Sequence, residues 1–121
     1  MERNMDLARQ ILMELEKEPY RGTPVSINID DTPIEDMVYH VMLLDEAGLI
    51  EAFELGFGEI NWMPIRLTWA GHEFLEAARD EKRWKKATKM LETKGGGIVF
   101  EVLRDLLVSM VRSKVLPQKD S

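Results

Sequence analysis

The most conspicuous chemically active grouping in this sequence is a set of lysines around a tryptophan within residues 81–94. Four lysines recur at spacings of three and four residues: Lys82, Lys85, Lys86 and Lys89. Clustered cations beside an aromatic ring can bind a phosphate backbone and stack a base. On a helix, however, this spacing places all four lysines on one side and Trp84 on the opposite side. The pattern therefore favours a solvated helix face over a nucleic-acid site. If nucleic acid does bind here, these four lysines are the candidate contacts.

Residue types that bind metals or perform catalysis are otherwise sparse. The chain has no cysteine, and its two histidines, His40 and His72, lack a further histidine at the spacing of a zinc site. The glycine triplet at 95–97 is not followed by the Lys-Ser/Thr pair of a nucleotide-binding loop, so it predicts a hinge or a helix stop. The serines have no neighbouring base that could activate them. We therefore expect no enzymatic activity, cofactor, metal or small-molecule substrate.

Length and composition indicate a soluble chain with one core. The 121 residues suffice for a single small domain with a helical extension. A hydrophobic content of 45% is ordinary for a soluble protein, and no apolar run reaches the roughly 18 residues of a membrane span. The acidic start does not resemble a secretory signal, and the absence of cysteine fits a reducing compartment. We expect a cytoplasmic protein.

Charge is distributed unevenly along the chain. Residues 1–80 hold six Lys and Arg against seventeen Asp and Glu, a net charge of -11, whereas residues 81–121 hold ten against five, a net charge of +5. The first part should therefore repel phosphates and the second should attract them.

The central helix has the clearest boundaries in the sequence. We expect Thr32 to cap it, Pro33 to occupy its first position, and Glu35 to return to the cap amide. Gly48 should end it by adopting a left-handed conformation. Steps of 100° place five apolar residues on its core face: Ile34, Met37, Val38, Val41 and Leu44. The positions off this face include Tyr39, His40 and Met42.

The remaining elements follow from apolar periodicity, caps and turn residues. We expect a helix over 5–18 capped by Asn4, a short strand over 25–29, two wing strands over 49–55 and 63–68 with turns at Gly56 and Gly58, a helix from the cap Thr68 to Ala78, a helix from 80 or 81 to Gly95, and a helix over 98–114. Gly71 should permit a close approach in the first turn of the helix that Thr68 caps.

These elements predict an α+β protein. Residues 1–79 would form a winged-helix-like domain with a small antiparallel sheet and a wing, and residues 80–121 two C-terminal helices. The last helix carries apolar residues with the spacing of a short coiled-coil seam: Val99, Leu103, Leu106 and Met110. This extension would either pack on the first domain or form a homodimer through residues 98–114.

Several sequence segments are similar to known families. The segment HVMLLDEAGLIEA followed by RLTWAGHEFLEAARD resembles half of the winged helix in bacterial repressors of the arsenic and multiple-antibiotic-resistance types. More closely, residues 1–116 resemble a family of short bacterial and phage proteins known as a domain of unknown function. That resemblance rests on MDL at 5–7, YHVMLLDEAGLIEA, RLTWAGHEFLEAARD with Trp84 after it, and KGGGIVFEVLRDLL.

The resemblance implies a winged-helix-like fold and frequent occurrence in prophages and mobile elements, but it supplies no catalytic or binding residue. One departure from the repressor pattern is plain, because residues 29–32 leave no room for a separate helix before the recognition helix. Ordinary docking in the major groove is therefore in doubt.

Two functions remain open after this reasoning. A protein-interaction or accessory module would use an apolar surface around the wing and central helix: Tyr39, Met42, Phe53, Phe57 and Trp62. Alternatively, the wing folds back and buries these residues within the chain. A DNA-binding transcriptional regulator is the second function, which the acidic central helix and a wing without Lys or Arg disfavour. We expect a protein partner or self-association.

Overall fold

Five α-helices and one two-stranded antiparallel sheet form the secondary structure in a computed structural model that describes residues 2–92 and 98–115. The predicted α+β class is confirmed. The elements in chain order are α1 (Met5–Lys17), α2 (Ile34–Glu46), β1 (Ile50–Glu54), β2 (Trp62–Leu67), α3 (Trp69–Ala78), α4 (Glu81–Glu92) and α5 (Phe100–Val115). The chain divides into two compact units, Met1–Leu75 and Glu76–Ser121. The domain roles assigned to residues 1–79 and 80–121 stay predictions.

Helix α1 forms as its sequence predicts. The side chain of Asn4 accepts a hydrogen bond from the Leu7 amide at 3.1 Å, which satisfies one of the free N–H groups at the helix start. Leu7, Ile11 and Leu15 recur at intervals of four residues and are buried. One apolar face therefore attaches α1 to the rest of the first unit, in which it contacts α2 and β2.

His40 of α2 is buried, although its position in the sequence predicts that it lies off the core face. Its side chain is 2% exposed. The ring atom Nε2 accepts a hydrogen bond from the Asn4 amide at 2.7 Å, and Nδ1 lies 2.7 Å from the carbonyl oxygen of Asp36. Because an amide N–H can only donate, Nε2 must be unprotonated, so Nδ1 carries the proton and donates to Asp36. Both ring nitrogens are thus satisfied, and the imidazole connects α2 to the start of α1.

The start of α2 differs from the prediction, whereas its end agrees. Thr32 does not cap the helix, because its hydroxyl donates to the carbonyl oxygen of Asp30 at 3.3 Å. The capping position is Pro33, which makes no side-chain cap. Asp31, directly before Thr32, adopts a φ of 60°, which few residues other than glycine do. After α2, Gly48 has a φ of 77° and ends the helix as predicted.

The sheet is a hairpin with one extra residue in its second strand. Ile50 pairs with Leu67, and both are buried. Glu51 pairs with Arg66 and Ala52 with Pro64, so the residue between Pro64 and Arg66 is left over as a β-bulge. The turn contains Gly56 and Gly58, both with positive φ, as predicted. The two strands therefore form an antiparallel hairpin with a bulge near its base.

The strand predicted over residues 25–29 is absent from this described part of the chain. The Val25 amide donates to the Pro64 carbonyl oxygen at 2.8 Å, so the segment does run beside β2. Pro64 has no N–H and cannot return the second hydrogen bond of a ladder. The proline within β2 thus explains why the segment at 25–29 makes a single backbone hydrogen bond to β2 and is not a strand.

The free edge of β1 is covered by a carboxylate at the end of α2. Since the Pro64 carbonyl points toward Val25, the amide of its partner Ala52 points away from β2. Asp45 Oδ1 accepts that amide hydrogen at 3.0 Å. An acidic residue is unfavourable in the last turn of a helix, so this bond gives Asp45 a structural role.

We expect Asp45→Ala to lower the free energy of unfolding by about 1 kcal/mol, because the Ala52 amide loses its acceptor. Asp45→Asn keeps an acceptor oxygen and should lower it by less than half as much. Urea unfolding measures both values, and hydrogen exchange at the Ala52 amide reports the bond directly. Equal exchange rates at this amide in the two variants would contradict the assigned role.

Helix α3 begins where its cap and its glycine predict. The Thr68 side chain accepts from the Gly71 amide at 3.1 Å and donates to the Gly48 carbonyl oxygen at 2.6 Å, so it connects α3 to the turn after α2. A Cβ atom at Gly71 would overlap the Leu49 carbonyl oxygen. The predicted close approach at Gly71 is therefore confirmed.

The second unit contains α4 packed on α5. Asp80 Oδ1 accepts from the Arg83 amide at 2.9 Å and caps α4. The Arg83 side chain donates through Nε to the Ala77 carbonyl oxygen at 2.7 Å, at the end of α3. The buried residues of the two helices are Trp84, Ala87, Leu103 and Leu107. The predicted glycine stop at 95–97 and the residues after 115 lie outside the described residues.

Candidate functional site

The predicted docking residues differ in their exposure. Phe57 is 77% exposed and Phe53 is 49% exposed, so the hairpin does not bury them within the chain. Tyr39, Met42 and Trp62 are half-buried. Phe53 and Phe57 are therefore available to a partner. The role of the three half-buried residues depends on the side chains around them.

The register of the hairpin separates Phe53 from Trp62. Phe53 pairs with Met63, so their side chains share one face of the sheet. Trp62 is the next residue along β2, and successive side chains of a strand point to opposite faces. Trp62 therefore shares its face with the buried Pro64. The predicted residues do not form one continuous surface.

Trp62 lines a small cavity inside the first unit. The cavity measures about 70 Å³ and is lined mostly by apolar residues of α2, β2 and the segment before α2, including Met37, Val38, Val41 and Ile27. Ligand pockets usually measure several hundred Å³. Ile34, predicted on the core face, lies at this cavity but is 45% exposed. The position of Trp62 is thus typical of packing.

Tyr39 and Met42 lie on a third surface, on the other side of α2. Steps of 100° place them near Glu35 and Glu46 and away from the buried Val41 and the cavity. The Tyr39 ring meets the His40 ring edge-on at 5.6 Å between centroids. This side of α2 is acidic, because the helix contains no Lys or Arg.

An open cleft at the other end of the hairpin was not predicted. It has a volume of about 470 Å³ and is lined by Leu15, Glu16, Glu18, Tyr20, Ile65, Arg66, Leu67, Trp69 and His72. We call it the aromatic cleft, because Tyr20 is 71% exposed and Trp69 is 81% exposed. A signal for Trp69 existed in the sequence, since helical spacing places it opposite Phe74 and Leu75. No comparable signal existed for Tyr20, which follows the end of α1.

Polar contacts hold the side chains around the aromatic cleft. Trp69 Nε1 donates to a carboxylate oxygen of Glu73 at 2.6 Å. Arg66 Nε donates to Glu51 at 2.8 Å across the two strands, in an exposed ion pair. The Trp69 ring is thus exposed while its N–H is held by a hydrogen bond.

The aromatic cleft continues onto the outer face of the hairpin. We define the hairpin face as the side of the sheet that carries Phe53, Met63 and the ion pair of Glu51 with Arg66. Arg66 also lines the aromatic cleft, so the two surfaces meet at this side chain. The hairpin face and the cleft therefore form one surface within the first unit.

The lysines of α4 lie where the solvated-face interpretation places them. The side chains of Lys82, Lys85, Lys86 and Lys89 are exposed, while Trp84 is 2% exposed. Lys85 Nζ lies 3.5 Å from a carboxylate oxygen of Glu81. With its indole buried, Trp84 cannot stack on a base beside these cations.

The seam predicted on α5 is not a single stripe. Leu103 and Leu107 are fully buried, whereas Val99 is exposed and Leu106 and Met110 are half-buried. Leu107, one of the two fully buried residues, is not part of the predicted seam. The homodimer through residues 98–114 stays a prediction.

Within residues 2–92 and 98–115, no group of three or more His, Asp or Glu side chains is placed to hold a metal ion. None of the helices in these ranges combines the length and the apolar character of a membrane-spanning segment.

Comparisons with known proteins agree with the family resemblance of the sequence. The chain is similar to an uncharacterized protein of Haemophilus influenzae, with 30% identity over 113 residues that cover 92% of this chain and 96% of the relative. No solved structure matches the chain. The model of the family described as "Hypothetical protein (DUF2513)" matches residues 2–97. The chain belongs to this family, DUF2513.

Proposed function

We propose that this protein is a non-enzymatic protein-interaction module that docks through the hairpin face and the aromatic cleft. The observation that carries the proposal is the exposure of three aromatic side chains on this surface: Tyr20, Phe53 and Trp69. Aromatic residues are enriched at the centres of protein interfaces, and Trp and Tyr are frequent hot spots. This proposed surface differs from the surface that the sequence predicts around Tyr39 and Trp62. Phe53 belongs to both surfaces.

The energetics of burial support this interpretation. Burying a large apolar side chain stabilises a protein by roughly 1.5–3 kcal/mol, which exposed aromatics do not contribute to the folded monomer. A single exposed apolar residue needs no explanation. Three aromatics that adjoin the half-buried Met63 and Ile65 make a larger apolar surface, which is typical of an interaction site.

The scaffold of the module is proposed to be winged-helix-like in an abbreviated form. Within the first unit the order is α1, α2, β1 and β2, followed by α3, and no helix lies between α1 and α2 in this described part of the chain. This order supports a helix followed by a wing, without the extra helix of the usual DNA-binding motif. A phage or mobile-element origin rests on the sequence resemblance alone.

DNA binding is the alternative function, and charge disfavours it. Neither α2 nor the turn at 55–61 contains Lys or Arg, so neither offers a partner for phosphates or guanine edges. We expect no binding of labelled duplex DNA at sub-micromolar protein in low or moderate salt. Tyr39→Ala and Arg66→Ala should leave that result unchanged. Salt-sensitive binding in this range would favour the DNA-binding regulator instead.

A photo-crosslinking experiment tests the docking surface directly. We expect p-benzoyl-phenylalanine in place of Phe53 to crosslink one discrete partner protein in the native host, and Trp69→Ala to lower the yield at least tenfold. The same group in place of Tyr39 is the control, because that position lies on another side of the unit. Equal crosslinking from both positions, or none from either, would contradict the proposal.

A further inference from the structure

We infer that the aromatic cleft binds a cationic side chain, Arg or Lys, of an extended segment of the partner protein, between Tyr20 and Trp69. This inference rests on the proposed function and specifies the chemistry of the partner at that surface. The cleft combines acidic side chains, open aromatic faces and an apolar floor, and each of these features favours such an occupant.

Charge around the cleft selects against an anion. The end of α1 contributes Glu16 and Glu18 to the lining. The opposite side contributes Arg66, whose charge is already matched by Glu51 at 2.8 Å. Residues 1–75 hold five Lys and Arg against fifteen Asp and Glu, a net charge of -10. A cation approaching this unit is therefore attracted, and an acidic peptide is repelled.

The aromatic side chains present the surface that a cation prefers. A guanidinium or ammonium group over a Trp or Tyr ring is attracted by the negative charge on the ring face. Trp69 is anchored at its edge by the bond from Nε1 to Glu73, so its faces stay open. Tyr20 lies in the same lining and supplies a second ring.

The floor and size of the cleft suit a long side chain. Leu15, Ile65 and Leu67 line it together with the aromatics, and aliphatic stems of Lys and Arg pack well on such surfaces. A volume of about 470 Å³ accommodates one long side chain with the backbone beside it. A whole helix would not enter a space of this size.

Titration of the full ¹⁵N-labelled chain with small probes tests the inference. The probes are N-acetyl-arginine methylamide, N-acetyl-lysine methylamide and N-acetyl-glutamate methylamide. We expect the first two to shift the indole N–H signal of Trp69 saturably, with a Kd on the order of millimolar. The glutamate probe should bind at least tenfold more weakly. The indole signals of Trp62 and the buried Trp84 should not move, and they report that the fold is intact.

Matched variants distinguish binding of the probe in the cleft from its non-specific attraction to the negative charge of the protein. Glu18→Gln and Tyr20→Ala should each weaken the arginine probe at least threefold, and both residues are exposed, so folding should be retained. Phe57→Ala is the control, because it removes an aromatic side chain that lies outside the cleft and is more exposed than Tyr20. This variant should leave the Kd unchanged. A weakening of equal size in all three variants would overturn the inference.

Other occupants give different results. If neither cation shifts Trp69, or if glutamate binds as tightly as arginine, the cationic occupant is wrong. A Trp69 signal that shifts with protein concentration before any probe is added indicates a second copy in the cleft and also overturns the inference. Crosslinking from position 53 is independent of these titrations. Crosslinking without a cation response therefore removes this inference and leaves the proposed docking function standing.

Discussion

Gly71→Ala should lower the free energy of unfolding by about 3 kcal/mol, although alanine is the better helix former by about 1 kcal/mol. The reason is steric, since the added Cβ overlaps the carbonyl oxygen of Leu49. That oxygen also accepts a hydrogen bond from the Thr68 amide at 3.0 Å, so it cannot move without breaking the contact that holds the start of α3. Equilibrium urea unfolding of the full chain measures the change.

Ala70→Gly is the matched control for that substitution. Ala70 is exposed in the same helical turn, so its loss of a methyl group should lower stability by about 1 kcal/mol through helix propensity alone. Only the change at position 71 places a side-chain atom against Leu49, so the comparison isolates the steric effect. If Gly71→Ala were neutral or stabilising, α3 would not approach Leu49 as closely as the structure shows.

His40→Leu should lower the free energy of unfolding by about 2 kcal/mol, even though leucine preserves an apolar side chain of similar size. The substitution removes the acceptor of the Asn4 amide and the donor to the Asp36 carbonyl oxygen. Since Asn4 also caps α1, hydrogen exchange should accelerate at the Leu7 amide more than at the centre of the helix. Urea unfolding gives the global value and hydrogen exchange gives the local one.

His72 provides the control for His40. It is exposed, so His72→Leu should change stability by no more than about 0.5 kcal/mol. Long-range ¹H–¹⁵N NMR of the wild-type protein should find the His40 proton on Nδ1. A proton on Nε2 would contradict the hydrogen bond from Asn4, because that nitrogen could then no longer accept.

Three residues depart from their sequence patterns, one for a local reason and two for long-range reasons. Thr32 has the residue type of a cap, but it directly follows Asp31, which has a positive φ, and its hydroxyl donates to Asp30 instead of capping α2. Val25 begins an alternating segment, but a strand needs a partner ladder, and Pro64 cannot donate to it. Helical spacing predicts His40 off the core face of α2, away from its apolar stripe. A polar side chain can be buried when other elements satisfy both nitrogens, and that depends on where Asn4 lies.

In the candidate site, too, features within one element were predictable from the sequence, whereas features that depend on several elements were not. The lysine spacing on α4 was sufficient to predict a solvated face with Trp84 buried opposite, because both positions belong to one helix. The separation of Phe53 from Trp62 depended on the register across the bulge, which a single strand does not specify. The aromatic cleft combines residues from α1, the following loop, β2 and α3, so no local pattern could have located it.

The sequence by itself determined the family, the α+β class and the elements whose signals are local: the cap at Asn4, the stop at Gly48, the hairpin turn and the cap at Thr68. These features depend on interactions within about four residues, so residue type and spacing suffice to predict them. Only the tertiary structure decided which aromatic residues share a surface and which polar groups are buried. Those outcomes depend on contacts between residues far apart in the chain, whose partners are specified only when the helices and the hairpin pack together.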